Sequence, residues 1–64
     1  MAISIKAARV NAGLTQSEVA DRIGKTKNTV ASYEAYVTLP DIKTAQAMAE
    51  IFGMSIDDII WTQD

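Results

Sequence analysis

The sequence predicts an all-α domain of five short helices, and three observations carry that expectation. Glycine and proline punctuate the 64 residues at short intervals. Each interval opens on a Ser, Thr or Asp suited to cap a helix, and the longer ones space their apolar residues three and four apart. No segment of useful length alternates apolar and polar residues as a half-buried strand would.

The first helix is predicted from Ile5 to Ala12, with Ser4 as its cap and Ile5, Ala8 and Ala12 on one face. Gly13 can take the left-handed turn that ends it, and Leu14 follows as a plug for the core. The second begins at Thr15-Gln16-Ser17-Glu18, where the threonine oxygen can accept an early backbone N–H and the glutamate can reach back to the cap. It ends at Gly24, with Val19, Ala20 and Ile23 as its buried stripe. Thr26 caps the third, which turns Val30, Tyr33 and Glu34 inward and Lys27, Asn28, Ala31 and Ser32 outward. The connection from Ala35 to Pro40 is expected to tuck Leu39 under the fold, and Pro40-Asp41 sets a helix stopper before a cap. A fourth helix follows to Phe52, with Ile42, Ala45, Met48, Ala49 and Phe52 in phase and Gly53 at its end. Ser55-Ile56-Asp57-Asp58 reads as the cap and first turn of a fifth, its carboxylates favourable against the helix dipole, ahead of Ile59, Ile60 and Trp61.

A chain this short, 48% apolar and 22% charged, makes one domain over residues 1–64 and buries only about 60% of its unfolded surface. It has no cysteine and no histidine, so packing or association has to replace disulfides and the commonest metal sites. The same absences remove cysteine nucleophiles, histidine acid–base chemistry and Ser-His-Asp arrangements, and no glycine-rich phosphate-binding string occurs. No enzyme activity, cofactor, metal or small-molecule substrate is expected. No apolar run approaches the roughly 18 residues of a membrane span, and the first residues lack the order of a signal peptide. The expected compartment is the cytoplasm, with no membrane partner.

The net charge of −2 conceals a polarity. Residues 1–34 hold Lys6, Arg9, Arg22, Lys25 and Lys27 against Glu18, Asp21 and Glu34, a balance of +2; residues 35–64 hold Lys43 against Asp41, Glu50, Asp57, Asp58 and Asp64, a balance of −4. A basic half can face a phosphate backbone while an acidic half points away.

Helix two, the Gly24-Lys25 turn and helix three have the spacing of a helix-turn-helix. The details are Gly13-Leu14-Thr15-Gln16, Ala20, Ile23-Gly24, Thr26, Val30 and Tyr33-Glu34. In these residues the sequence resembles the phage-repressor and Cro-like helix-turn-helix family, also called the xenobiotic-response-element family. The resemblance covers about residues 3–61, including Gly53 to Ile60 in the tail. It implies a compact five-helix domain of the lambda-repressor-like type that binds a double-stranded DNA operator as a homodimer and regulates transcription, as a repressor. It further implies that Gln16 holds a phosphate at the start of helix two, that Lys27, Asn28 and Ser32 read base edges, and that Thr26 and Thr29 touch the sugar-phosphate chain. Arg9 and Glu34 match positions that form an ion pair in family members. The chemistry agrees: a helix N-terminus presents free N–H groups to an anion, Lys can donate to guanine, and Asn can bond adenine bidentately. Lys25, in the turn, lacks base-reading geometry and is assigned to the backbone.

The departure from the family lies in Ala35-Tyr36-Val37-Thr38-Leu39-Pro40, where a glycine and basic residues are common and this chain has neither. Each missing phosphate contact weakens binding and its salt dependence, although Tyr36 and Thr38 can donate neutral hydrogen bonds. Alternatively, Tyr36, Val37 and Leu39 belong to a protein contact, which keeps open an interaction module such as an antitoxin or anti-repressor. Met54, Ile60 and Trp61, in the acidic and apolar C-terminal half, are the candidates for a dimer contact. Met48 and Met54 also suit core filling, and Trp61 suits core closure as well as a partner. Asp57-Asp58 reads as capping carboxylates, since adjacent helical residues point about 100° apart.

Overall fold

A computed structural model describes residues 1–63 of the chain. In chain order it contains strand β1 (Ile3–Ser4), helices α1 (Ile5–Asn11), α2 (Gln16–Ile23), α3 (Lys27–Glu34) and α4 (Ile42–Phe52), a 3₁₀ turn at Ile56–Asp58, and strand β2 (Ile59–Ile60). Each α-helix starts where a side-chain oxygen takes up an N–H that has no partner inside the helix. Ser4 accepts from Ala7 at 3.0 Å, Thr15 from Glu18 at 3.1 Å, Thr26 from Thr29 at 3.3 Å and Asp41 from Thr44 at 2.8 Å. The Thr15 N–H donates in return to Glu18 Oε1 at 2.9 Å, closing a capping box.

The helix ends are equally uniform. A residue in the left-handed conformation follows each: Gly13 (φ 73°), Gly24 (φ 70°), Tyr36 (φ 59°) and Gly53 (φ 68°). The next N–H then bonds back into the last turn, from Leu14 to Arg9, Lys25 to Ala20, Val37 to Ser32 and Met54 to Ala49. Three of these positions are glycine. Tyr36 carries a side chain there, at a cost of about 1–2 kcal/mol.

One large side chain from each helix is fully buried: Ile5, Val19, Val30 and Met48. Ala8, Ala20 and Ala49 are buried between them and are small enough to let the helices approach closely. Tyr33, Phe52 and Ile59 complete the core, with Leu14 and Ile23 packed against it half-buried.

Several expectations need correction. No fifth α-helix forms: the Ser55 hydroxyl does accept from Asp57 at 3.4 Å, but only three residues turn, as 3₁₀, before the chain extends. Ile59 and Ile60 are β-branched and favour extended backbone, and β1 offers them a strand to join. They pair with it in parallel, Ile3 opposite Ile59 and Ser4 opposite Ile60, so Ile59 enters the core while Ile60 points out. The short sheet is also the strand that the sequence did not suggest. Ala12 lies past the end of α1 and is exposed. Leu39 and Ile42 are 62% and 66% exposed, where they were expected inside. They stand at the loop end and first position of α4, at an edge no described element covers.

Candidate nucleic-acid interface

The α2 and α3 helices are joined by Gly24, Lys25 and Thr26 alone. The left-handed Gly24 turns the chain, and Lys25 N–H closes α2 on Ala20 O at 2.9 Å. Val30 and Tyr33 anchor α3 in the core, so the opposite side of that helix faces outward. Lys27 and Asn28 lie in its first turn and are exposed, and Ser32 is half-buried one turn further along. Among the described residues neither Lys27 nor Asn28 has a side-chain partner. Thr26 and Thr29 are committed locally, their hydroxyls 3.0 Å apart beside the cap bond. Lys25 is exposed in the turn.

Glu34, at the other end of α3, ties the three N-terminal helices together. Arg9 donates through Nε to Glu34 Oε2 and through Nη2 to Oε1 at 3.3 Å, while its Nη1 donates to the Leu14 carbonyl at 2.8 Å. The two side chains are 12% and 5% exposed, and the guanidinium charge is neutralised inside the fold. Every buried side-chain N or O among the described residues has a hydrogen-bond partner. Arg9 is therefore structural and adds no free cation to the surface.

Gln16 was expected to offer its side chain to a phosphate. Its Nε2 donates to Glu34 Oε1 at 3.0 Å. That bond uses one of the two amide protons and leaves the other, the amide oxygen and the backbone N–H. Arg9, Thr15, Gln16, Ser17 and Lys27 line an open groove between the N-termini of α2 and α3. The first N–H groups of α2 have no acceptor within the helix, and their dipoles point out of its N-terminal end. Residues that carry a hydroxyl, an amide and an ammonium, Ser17, Gln16 and Lys27, border that groove beside those backbone donors, a composition suited to an anion.

Two carboxylates near this face ionise more readily than usual. Backbone and side-chain hydrogen bonds with Thr15 lower the pKa of Glu18, and Arg22 lowers it further. Hydrogen bonds with Thr44 lower that of Asp41, helped by the charges of Lys25 and Lys43. The Asp41 charge in turn offsets part of the positive field of Lys25, a proximity that no local sequence window contains.

In the neutral loop, the two hydroxyls considered as neutral donors, Tyr36 and Thr38, stand differently. The Tyr36 hydroxyl donates to the Ile60 carbonyl at 2.8 Å, in an exposed bond along the surface. Thr38 is exposed, and Val37 is 74% exposed. Among the three residues considered for a dimer contact, Met54 and Trp61 pack against the core, and the Trp61 indole N–H donates to the Ile56 carbonyl at 2.9 Å. Ile60 is the one of the three left 42% exposed.

Comparison with known proteins bears on the family. The helix-turn-helix family matches residues 5–59. The cryptic phage CTXphi transcriptional repressor RstR of Vibrio cholerae is 36% identical over 56 residues, covering 88% of this chain and 50% of that protein. The uncharacterized HTH-type transcriptional regulator YgzD of Bacillus subtilis (strain 168) is 27% identical over 60 residues, covering 94% of this chain and 91% of that protein. The chain thus spans half the length of the Vibrio repressor and nearly all of the Bacillus regulator. No solved structure gives a significant match. No helix among the described residues is long and apolar enough to cross a membrane. With α2 and α3 packed through a three-residue turn and the match running from α1 to β2, the chain belongs to the helix-turn-helix family in its phage-repressor-like, xenobiotic-response-element form.

Proposed function

We propose that the chain is a sequence-specific transcriptional regulator that binds double-stranded DNA through α3, as a repressor acting on a two-fold operator as a homodimer in the cytoplasm. One observation carries the reading: the exposed first turn of α3, with Lys27 and Asn28 unpartnered, stands beside the anion-suited groove at the start of α2. Lys27, Asn28 and Ser32 read base edges, while Gln16, Lys25, Thr26 and Thr29 hold the sugar-phosphate chain. Dimension supports two copies. The longest extent of the Cα trace is 27 Å, short of the roughly 34 Å between half-sites one helical turn apart. Ile60 is the residue best exposed to contribute to the pairing, with Met54 and Trp61 behind it. Similarity to a phage repressor supports repression over activation.

Exposed Val37, Leu39 and Ile42, in and after a loop without a cation, favour a second reading as a protein-interaction module. Selection from a pool of random duplexes discriminates the two. Enrichment of a two-fold symmetric site is the expected result; no enrichment at low salt would replace DNA binding with the interaction reading.

A further inference from the structure

Tyr36 holds the left-handed position beyond α3 that the other three helices give to glycine. Its backbone closes the reading helix: Tyr36 N–H donates to Tyr33 O at 3.1 Å, and Val37 N–H to Ser32 O at 3.0 Å. A tyrosine persists in this conformation only where surrounding contacts over-determine it. Here the ring packs against the core, and the hydroxyl reaches the Ile60 carbonyl in β2 at 2.8 Å. That strand pairs with β1, and Trp61, the residue after it, donates through its indole N–H to Ile56 in the 3₁₀ turn before it. The end of α3 is thereby moored to a fixed part of the fold by a residue that is poorly suited to the backbone it adopts.

The loop that follows explains what such a mooring is for. A cation attracts phosphate over several ångströms and tolerates misplacement, whereas a neutral donor works only within a narrow range of distance and angle. Between Ala35 and Pro40 there is no cation. Among the described residues the Thr38 hydroxyl and the Leu39 N–H are without a partner, and both are neutral. A loop so equipped contributes to DNA binding only if it is held in place. We propose that Tyr36 is a positioning residue for DNA recognition, fixing the exit of α3 and the loop 35–40 through its hydroxyl bond to β2. This role rests on α3 being the DNA-reading helix.

Tyr36→Phe and Tyr36→Gly test it, read by amide hydrogen exchange without DNA, by thermal unfolding, and by affinity for a duplex enriched by the parent chain. The phenylalanine variant keeps the strain and loses the tether. Exchange at Val37 and Thr38 is expected to quicken about three- to tenfold relative to amides of α2, with a similar loss of affinity. The glycine variant removes strain, tether and the ring's packing against the core together. Its thermal midpoint should therefore fall below that of the phenylalanine variant while the two lose loop order and affinity alike, whereas a purely stabilising role would make the affinity losses follow the midpoints. Unchanged affinity in both variants, with a parent that binds, overturns the positioning role alone. Lost affinity with unchanged exchange also overturns it, because Tyr36 would then touch DNA directly. A parent that enriches no duplex defeats the DNA reading and this role with it.

Discussion

Glu34 accepts hydrogen bonds from α1 through Arg9 and from α2 through Gln16, so one carboxylate sets the relation of α3 to both neighbours. At 5% exposure its loss leaves the Arg9 guanidinium desolvated and without a counter-charge. Glu34→Ala should therefore cost about 3 kcal/mol, and the double replacement with Arg9→Ala should cost less than Glu34→Ala alone. Denaturant unfolding of the four-member cycle measures this; coupling of no more than a few tenths of a kcal/mol would remove the pair's role in the fold. The exposed residues of the same helix lead to a different kind of expectation. Asn28→Ala should cost about 1–3 kcal/mol on the preferred duplex and relax choice at one base pair, since its amide offers donor and acceptor together. Lys25→Ala should weaken all sequences alike. Competition binding against single-base variants of the enriched site separates the two, and an Asn28→Ala chain as selective as the parent would free α3 of the reading role. Lys27 has a stem long enough for guanine or phosphate, and its alanine variant assigns it by whether site preference survives.

Elements that depend on local chemistry were legible in the sequence, and those that depend on distant partners were not. The capping box at Thr15–Glu18 and the glycine ends of α1, α2 and α4 lie within a few residues of the bonds they make, so their signals are complete in a short window. The pairing of β1 with β2 joins opposite ends of the chain over two residues each, too short to alternate, and Ser55-Ile56-Asp57-Asp58 mimics a helix start. At the interface, the outward face of α3 followed from helix phase. The bond from Gln16 to Glu34 and the bond of the Tyr36 hydroxyl to β2 required the packed fold. The caps also set a pH dependence. Hydrogen bonding lowers the pKa of Glu18 and Asp41 in the folded state, so the stability they contribute is full above the ordinary carboxylate pKa and is lost as pH falls through the lowered one. The thermal midpoint should begin to fall below about pH 4. Glu18→Gln with Asp41→Asn keeps both cap geometries while removing their titration, and should flatten that acid fall. An acid profile identical to the parent's would exclude these two caps as its source.

At the scale of the whole molecule, a chain of net charge −2 has to meet a polyanion with few free cations. Arg9 is spent within the fold, and Arg22 lies close enough to Glu18 to influence its ionisation. Lys25 and Lys27 remain at the turn and the start of the reading helix, the first partly offset by Asp41. Because each neutralised phosphate contributes about −0.9 to the slope of log affinity against log salt, Lys25 alone should give about −1 for one copy and about −2 for a pair on a two-fold site, and Lys27 doubles both figures where it takes a phosphate in place of a guanine. Titration of the enriched duplex over a range of salt measures the slope, and sedimentation of the same complex gives the number of copies. Two bound copies with a slope of about −2 where Lys27 reads a base and about −4 where it holds a phosphate, reduced by about two when Lys25 is replaced by Ala in both, is the expected result. Ile60→Asp should divide the pair while leaving the Tyr36 bond intact, since that bond uses the Ile60 backbone carbonyl and the side chain is 42% exposed. Its complex should then fall to one copy and half the slope. A slope steeper than about −7 would require phosphate contacts from Lys6, Arg22 or Lys43, and would move the DNA path beyond α3 and the groove beside it.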